Sequence, residues 1–475
     1  MMSDTTKPDW HRFLNYKDKD APPFHPGWTE ADQERGVRYS APWRHPFAGF
    51  PEHARRCALA LAATGVPVKL LGLRGEIRSD KTDKAMMRAL QKVQERMQPL
   101  VRASIRYLDA EVFQTIATDA AFMRLAGAAH HWMGPDELAL AYEARIISTV
   151  FERDRLTDEA RACLKRVRQV WVANDQDKAM LEREGVTEAH VVPIPFMPDD
   201  RHLPLQGGKR WPGVPRFLHV GKWEPRKEQR NIMLAFLLAF KPGQARLYVK
   251  TSMQGPRVED YPDSPRACVA ELLGRKDVLA RGWSKDNFDQ SIFVIQRRLD
   301  DDGMVNLYAT ADVYVTLSRG EGFDMPAFDA KLSGHLLVYT PSGGPQDFAG
   351  DGDLLVPMTG KVDCHPFYEW GGGAQYGDYA LDDAVSALRA AAQEVEAGRR
   401  KRRGKTDEAF TARFSAMSVG TRMKQLLQPL FEDGAQGVQL AKKLEAERAA
   451  RREAALGEQL AAGVDPSVTA AEADG

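Results

Sequence analysis

The sequence predicts an α/β protein built from two doubly wound parallel sheets that face each other across a cleft. Two observations carry that reading. Short apolar runs of strand length alternate with amphipathic, helix-like stretches, the pattern of βαβ units. The alternation breaks in PFMPDDRHLPLQGGKRWPGVP (195–215), where Pro, Gly and charge crowd together and neither period survives. At 475 residues the chain exceeds what one ordinary core serves, so the two alternating halves are read as separate domains. Ligands of open parallel sheets bind beyond the carboxyl ends of the strands, which places the expected site in the cleft.

Residues 1–40 mix Trp, Pro and charge without a period and are read as an irregular arm. The first domain is expected over 41–200. There PEHARRCALALAATG (51–65) spaces Ala54, Cys57, Ala58 and Leu61 on one helical face and stops at Gly65. Its strands are expected in VPVKLLG (66–72), EVFQTIA (111–117), RIISTVF (145–151), QVWVA (169–173) and HVVPIP (190–195). A linker occupies 201–215. The second domain, 216–405, offers RFLHVG, ARLYVKT, SIFVIQ, DVYVTL, LLVYT and DLLVP as strands. Helical patterning resumes over 406–431. The tail, 432–475, is rich in Ala, Glu and Arg and poor in large apolar residues, which suits a solvated or partner-binding helix with a frayed end.

Bulk properties exclude several classes. Hydrophobic residues at 43% and charged residues at 28% are ordinary for a soluble globular chain. Lys plus Arg and Asp plus Glu both number 66, so net charge favours no polyanionic or polycationic partner. Cys57, Cys163, Cys268 and Cys364 lie far apart without a CxxC pair, which fits reduced thiols rather than a disulfide frame or a zinc site. The N-terminus lacks an apolar secretory core, and no stretch approaches the roughly 20 apolar residues of a membrane helix. The expected compartment is the cytoplasm.

Three segments of the second half carry chemistry. In FLHVGKWEPRKEQRNIMLAF a strand ends at Gly221, and Lys222, Arg226 and Lys227 crowd the approach to a helix starting near Glu228. Free N–H groups and the helix dipole favour an anion there, and at an effective dielectric near 20 a cation about 4 Å from a phosphate charge contributes roughly 4 kcal/mol before desolvation. A diphosphate would fit; so would a plain solvated basic loop. In SRGEGFDMPAFDAKLSG (318–334), Glu321 stands between Gly320 and Gly322 just past a buried strand. The glycines would permit positive φ and close approach of backbone to ligand. Pro326 suits a first helical turn, leaving the N–H groups of Gly322, Phe323 and Asp324 near a helix start. Glu321 could accept from a ring hydroxyl, and Asp329, about one turn into the helix, from a ribose. Asp324 reads more readily as a helix cap than as a ligand group, and Asp329 alone passes as a solvated helix residue. In TPSGGPQDF, Ser342, Gly343 and Gly344 follow another strand and read first as a turn, second as a phosphate cradle.

Taken together, VGKWEPRK, LYATADVYVTLSRGEGFDMPAFDAKLSG and PSGGPQDF resemble the retaining GT-B glycosyltransferases of the large family 4 type, whose signature is E-x7-E in an EGFG-like loop. GFPEHARRCALALAATGVPVKLL resembles that family's glycine turn and first helix, and 149–186 a further segment; the resemblance spans roughly 41–431. It implies two Rossmann-like domains and a final helix, in EAFTARFSAMSVGTRMKQLLQPLF, crossing back onto the first. It implies transfer of a sugar from a nucleotide diphosphate sugar to a hydroxyl acceptor, without metal or bound cofactor. Lys222 and Lys227 would then hold the diphosphate and stabilise the leaving group, with Gly221 in the same loop. Glu321 would meet the donor sugar. Gly322 and Phe323 would offer N–H groups, Asp329 would take the ribose, and Gly49 would face the phosphates from the opposite domain.

The sequence departs from the family at several points. Asp329 is one methylene shorter than the usual Glu, and the loop reads EGFD, which sets Asp324 among the donor-binding candidates. No histidine adjoins VFQTIA; His130 and His131 are the nearest substitutes, with a structural role as the alternative. Glu152 and Asp154 in FERDRL are candidates for acceptor contacts or for a capping and ion-pair cluster. GRRKRRGK (398–405), from Arg399 to Lys405, is either a solvated loop or a dock for an anionic acceptor or the membrane periphery. A sugar phosphorylase, an epimerase or a non-catalytic scaffold would use the same architecture.

Overall fold

The computed structural model describes residues 35–41, 49–72, 95, 97, 98, 100, 107–114, 145–165, 167–197, 213–252, 261–262, 264–364, 373–398, 408–431, 446 and 450. His130, His131, Arg399 to Lys405 and nearly all of the arm and tail lie outside them.

The first domain is a parallel sheet of six strands: β1 (Arg35–Ala41), β2 (Val68–Gly72), β3 (Tyr107–Gln114), β4 (Arg145–Thr149), β5 (Gln169–Val172) and β6 (Ala189–Val191), in the order β2-β1-β3-β4-β5-β6. The second domain repeats the plan with β7 (Arg216–Lys222), β8 (Arg246–Ser252), β9 (Ile292–Ile295), β10 (Val313–Thr316), β11 (Leu336–Tyr339) and β12 (Leu354–Leu355), in the order β12-β11-β10-β7-β8-β9. Every pairing within both sheets is parallel. The expected fold class is therefore the observed one, and ten of the eleven expected strands fall within about three residues of their predicted starts, EVFQTIA being the one displaced by four.

The arm was expected to run to residue 40; instead residues 35–41 are β1, the strand between β2 and β3. Val37, Tyr39 and Ala41 alternate into the core, at 0–1% exposure, but Gly36, Arg38 and Ser40 dilute the period. The structure also contains an unforeseen antiparallel hairpin, β13 (Met358–Asp363) with β14 (Gln375–Tyr379). Its alternation is too polar to read as a buried strand.

Helix α1 (Gly49–Ala63) is buried along nearly its whole length, because it packs on the first sheet and under the returning C-terminal chain. Helices α2 (Asp175–Arg183), α3 (Gln229–Ala239), α4 (Met325–Leu332), α5 (Gly344–Phe348) and α6 (Leu381–Glu396) follow strands or hairpin in turn. The crossover is present in two pieces, α7 (Glu408–Phe414) and α8 (416–431), hinged at Ser415, which bridges Phe196. Phe410 and Phe414 pack with Phe323, Phe328 and Phe348 of the second domain. Val419, Met423 and Leu427 pack in the first. A Cβ on Gly420 would stand 2.1 Å from the Ala60 carbonyl oxygen, so α8 and α1 touch backbone to backbone.

Candidate functional site

Strands β7 and β10 are parallel neighbours, so the loops at their carboxyl ends meet although 94 residues separate them. The first loop runs from Gly221 through a 3-10 turn at Pro225–Lys227 to Glu228 and α3. The second runs through Glu321 to Asp324 and α4. Among the described residues, Glu228 and Asp324 are the non-glycine residues with positive φ, both at 57°. Each occupies the N-cap of its helix. A left-handed non-glycine residue costs on the order of 1 kcal/mol or more, and such strain concentrates at functional sites.

Glu321 is 4% exposed and lies in a buried charge cluster. Lys227 Nζ donates to its Oε1, and Arg226 Nη1 lies 3.4 Å from its Oε2. The Arg226 Nη2 group also reaches Glu224 at 2.7 Å and Glu152, from the first domain, at 3.0 Å. Burial alone would raise the Glu321 carboxyl, but Lys227 and Arg226 outweigh it and hold the group below the ordinary carboxylate range. Burial pulls Lys227 down and Glu321 more than restores it, so its ammonium stays charged. Burial raises Glu152, aided by the Glu321 and Glu224 charges against Arg226. Two carboxyls beside one guanidinium are thus pushed in opposite directions.

The glycines flanking Glu321 have a different reason from the one expected. Neither Gly320 nor Gly322 takes a positive φ. A Cβ on Gly320 would lie 2.1 Å from the Glu152 carbonyl oxygen, and one on Gly322 would lie 2.4 Å from Val150 Cβ. They are small because the first domain presses on the loop, through the Glu152 backbone at Gly320 and the Val150 side chain at Gly322, not because the loop bends unusually. Asn174 of that domain also donates to the Gly322 carbonyl.

Asp324 takes the cap reading. Its Oδ1 accepts from Ala327 N at 3.4 Å and its Oδ2 from the Thr316 hydroxyl at 2.7 Å. Both oxygens face its own helix and strand, as the cap reading favoured from the sequence requires. Burial first, then the Glu321 charge, push Asp324 to about 6. Because this carboxyl lies above its unfolded value near 3.8, the folded state keeps a proton that the unfolded state has released. Its contribution to stability therefore declines as pH rises from about 4 to about 6. Asp324→Asn keeps an N-cap acceptor and should flatten that decline, as read by thermal unfolding between pH 4 and 7.

The remaining candidates fall into place around this core. Lys222 is exposed at the end of β7, and among the described residues it has no ion-pair partner. Gly221 sits above His219, whose Nε2 would be 2.9 Å from an added Cβ. Phe323 buries its ring against Phe328, Phe348 and Phe414 and anchors the loop. Asp329 pairs with Arg56 of the first domain at 3.3 Å. Gly49 begins α1 opposite α4, where a Cβ would lie 3.9 Å from Met325 Sδ. Asp154 takes the ion-pair reading: it accepts from Lys361 at 2.6 Å and from Gln375 N at 2.8 Å, tying hairpin β13–β14 to the first domain. GGPQDF is not the plain turn expected: Gly343 caps the short helix α5, and its N–H donates to Gln176 of the first domain at 2.7 Å.

Three residues escaped sequence reasoning. Arg226 was read only as one cation of a basic loop, yet it joins three carboxylates. His219, 1% exposed and lowered to about 4 by burial, lies beneath the loop that begins at Gly221, with Nδ1 on the Val315 carbonyl at 2.8 Å. Arg56 lies in the first helix but off the apolar face of Ala54, Cys57, Ala58 and Leu61 that the spacing picks out.

No protein-family model and no curated protein sequence matches the chain. Solved structures do match in fold. An α,α-trehalose 6-phosphate synthase from Burkholderia multivorans aligns at TM-score 0.52 and 15% identity, covering 84% of this chain and 99% of its own. The lipopolysaccharide outer core galactosyltransferase WaaB aligns at 0.50 and 16%, covering 83% and 99%. Anabaena Alr3699/HepE, solved with UDP-glucose, aligns at 0.50 and 13%, covering 83% and 99%. The architecture is GT-B: two Rossmann-like domains with a C-terminal chain crossing back.

Proposed function

We propose that the chain is a metal-independent retaining glycosyltransferase of the family 4 type, taking a sugar from a nucleotide diphosphate sugar to a hydroxyl acceptor. One observation carries the reading: at the adjoining ends of β7 and β10, Glu321 and Lys227 meet in a buried pair beside the starts of α3 and α4. A diphosphate can replace Glu321 as counter-ion to Lys227, with Lys222 as the second cation and the helix starts as N–H donors. Glu321, released from Lys227, then accepts from a sugar hydroxyl. The acceptor hydroxyl oxygen bonds the anomeric carbon on the face the diphosphate leaves, the departing diphosphate takes the electron pair of the broken bond and then the hydroxyl proton, and these cations stabilise its charge. Gly322 and Phe323 supply N–H groups, Asp329 takes the ribose, and Gly49 faces the phosphates from α1. Glu152, 37% exposed and joined to the cluster through Arg226, would meet the acceptor. The UDP-glucose of the HepE structure makes UDP-sugars the first donors to try.

The direct test is thermal unfolding and product analysis with a panel of UDP-, GDP- and ADP-sugars. At least one should raise the melting temperature, by an increment that grows with its concentration, and should be turned over slowly to free sugar. No shift with any of them would sink the reading. Product formation with phosphate as acceptor separates a phosphorylase, and sugar inversion without acceptor an epimerase.

A further inference from the structure

We propose that Arg56 of the first domain and Asp329 of the second together hold the ribose of the nucleoside diphosphate, so that the nucleotide half of the site is complete only across the closed domain boundary. The proposal rests on the glycosyltransferase reading and names a residue that reading does not use.

Gly49, Glu52, His53 and Arg56 share one stripe of α1 by their spacing. Its direction is settled by two contacts, Gly49 against Met325 and Arg56 Nη2 against Asp329 Oδ1 at 3.3 Å. The stripe thus faces the first turns of α4. Its polar side chains are buried, His53 at 3% and Arg56 at 2% exposed, which apolar packing does not explain. Glu52 Oε1 accepts from Arg56 Nε at 2.8 Å and fixes the guanidinium, so its outer edge points across the boundary. Beside it, among the described residues, His53 Nε2 has no hydrogen-bond partner; burial and the Arg56 charge lower this imidazole to about 3, so it stays neutral.

Asp329 lies four residues past the start of α4, about 6 Å along the axis. With a sugar at Glu321 and phosphates at the helix starts, the next unit of a nucleotide sugar, its ribose, falls beside Asp329. Ribose hydroxyls donate to the carboxylate, and the guanidinium donates to ribose and phosphate oxygens. An aspartate carries its charge about 1.5 Å nearer the helix than a glutamate would. Arg56, arriving from the opposite side, fills that distance.

The test is calorimetric binding of whichever of UDP, GDP and ADP the wild-type chain holds most tightly, together with its 2′-deoxy and 3′-deoxy forms. Wild type should lose at least about tenfold in affinity on a deoxy form. Arg56→Gln and Asp329→Asn should each bind the ribonucleotide about tenfold more weakly, and should no longer distinguish it from the deoxy forms. A merely structural arginine would leave that discrimination intact. If Arg56→Gln binds and discriminates as wild type does, the proposal is overturned while the functional reading stands. If wild type binds none of the three, the functional reading fails and takes the proposal with it. Should Arg56→Gln not fold, Asp329→Asn, 18% exposed, carries the same discrimination test.

Discussion

Glu321→Ala should lower stability by about 3–5 kcal/mol and abolish most donor turnover. The first effect follows from burial. Glu321 is 4% exposed and is the ion-pair partner of Lys227, itself 14% exposed, so its removal strands an ammonium away from water. Arg226 suffers less, because Glu152 and Glu224 remain on its guanidinium. A stranded cation, rather than a lost attraction, dominates the cost, and that gives a sharper check. Replacing both partners, as Glu321→Leu with Lys227→Met, should cost less than Glu321→Ala alone. Equal or greater loss in the double variant, by denaturant unfolding, would mean that the pair itself supplies the stability. The second effect is the loss of one charged hydrogen bond to the sugar, about 1.5–3 kcal/mol, or roughly ten- to a hundredfold in donor turnover.

Lys227→Ala should weaken nucleoside diphosphate binding by roughly ten- to a hundredfold, the value of a charge-assisted contact to phosphate. It should also change how stability depends on pH. In the native chain Glu321 is held below the ordinary carboxylate range, chiefly by Lys227 and then by Arg226, against burial. A carboxyl depressed in this way stabilises above its unfolded value, and that contribution is lost as pH falls through the folded one. Without Lys227, burial faces Arg226 alone and the Glu321 carboxyl moves up. The variant should therefore be most destabilised near pH 7–8 and recover relative to wild type toward pH 5. Thermal unfolding of both proteins across that range decides it: a deficit independent of pH would show that Lys227 does not govern Glu321.

Most of the fold was legible because it is written locally. Runs such as RFLHVG and DVYVTL are apolar on both faces, as strands of a covered parallel sheet must be, and they became β7 and β10. Strand β1 was missed because Gly36, Arg38 and Ser40 dilute its alternation, and hairpin β13–β14 because its residues are mostly polar and half-exposed. The site was legible in its parts. Glu321, Lys227 and Gly49 stood out by their neighbours in sequence, and the fold sets all three at the boundary where the two domains meet. Asp324 was carried both as a cap and as a donor-binding candidate, because the two look alike until the oxygens are located.

By itself the sequence determined the two α/β halves, the break between them, and which loops bear charge at strand ends, since periodicity and turn chemistry act over a few residues. Only the tertiary structure decided which charges neutralise which. Lys227 finds Glu321 because β7 and β10 are parallel neighbours. Arg226 finds Glu152, and Asp329 finds Arg56, because the first domain closes on the same loops. Such pairs join residues up to 273 positions apart, and no local pattern records them. They arise when the first domain comes close enough to a loop stripped to glycine at Gly320 and Gly322 to exclude water between the side chains that the two domains carry.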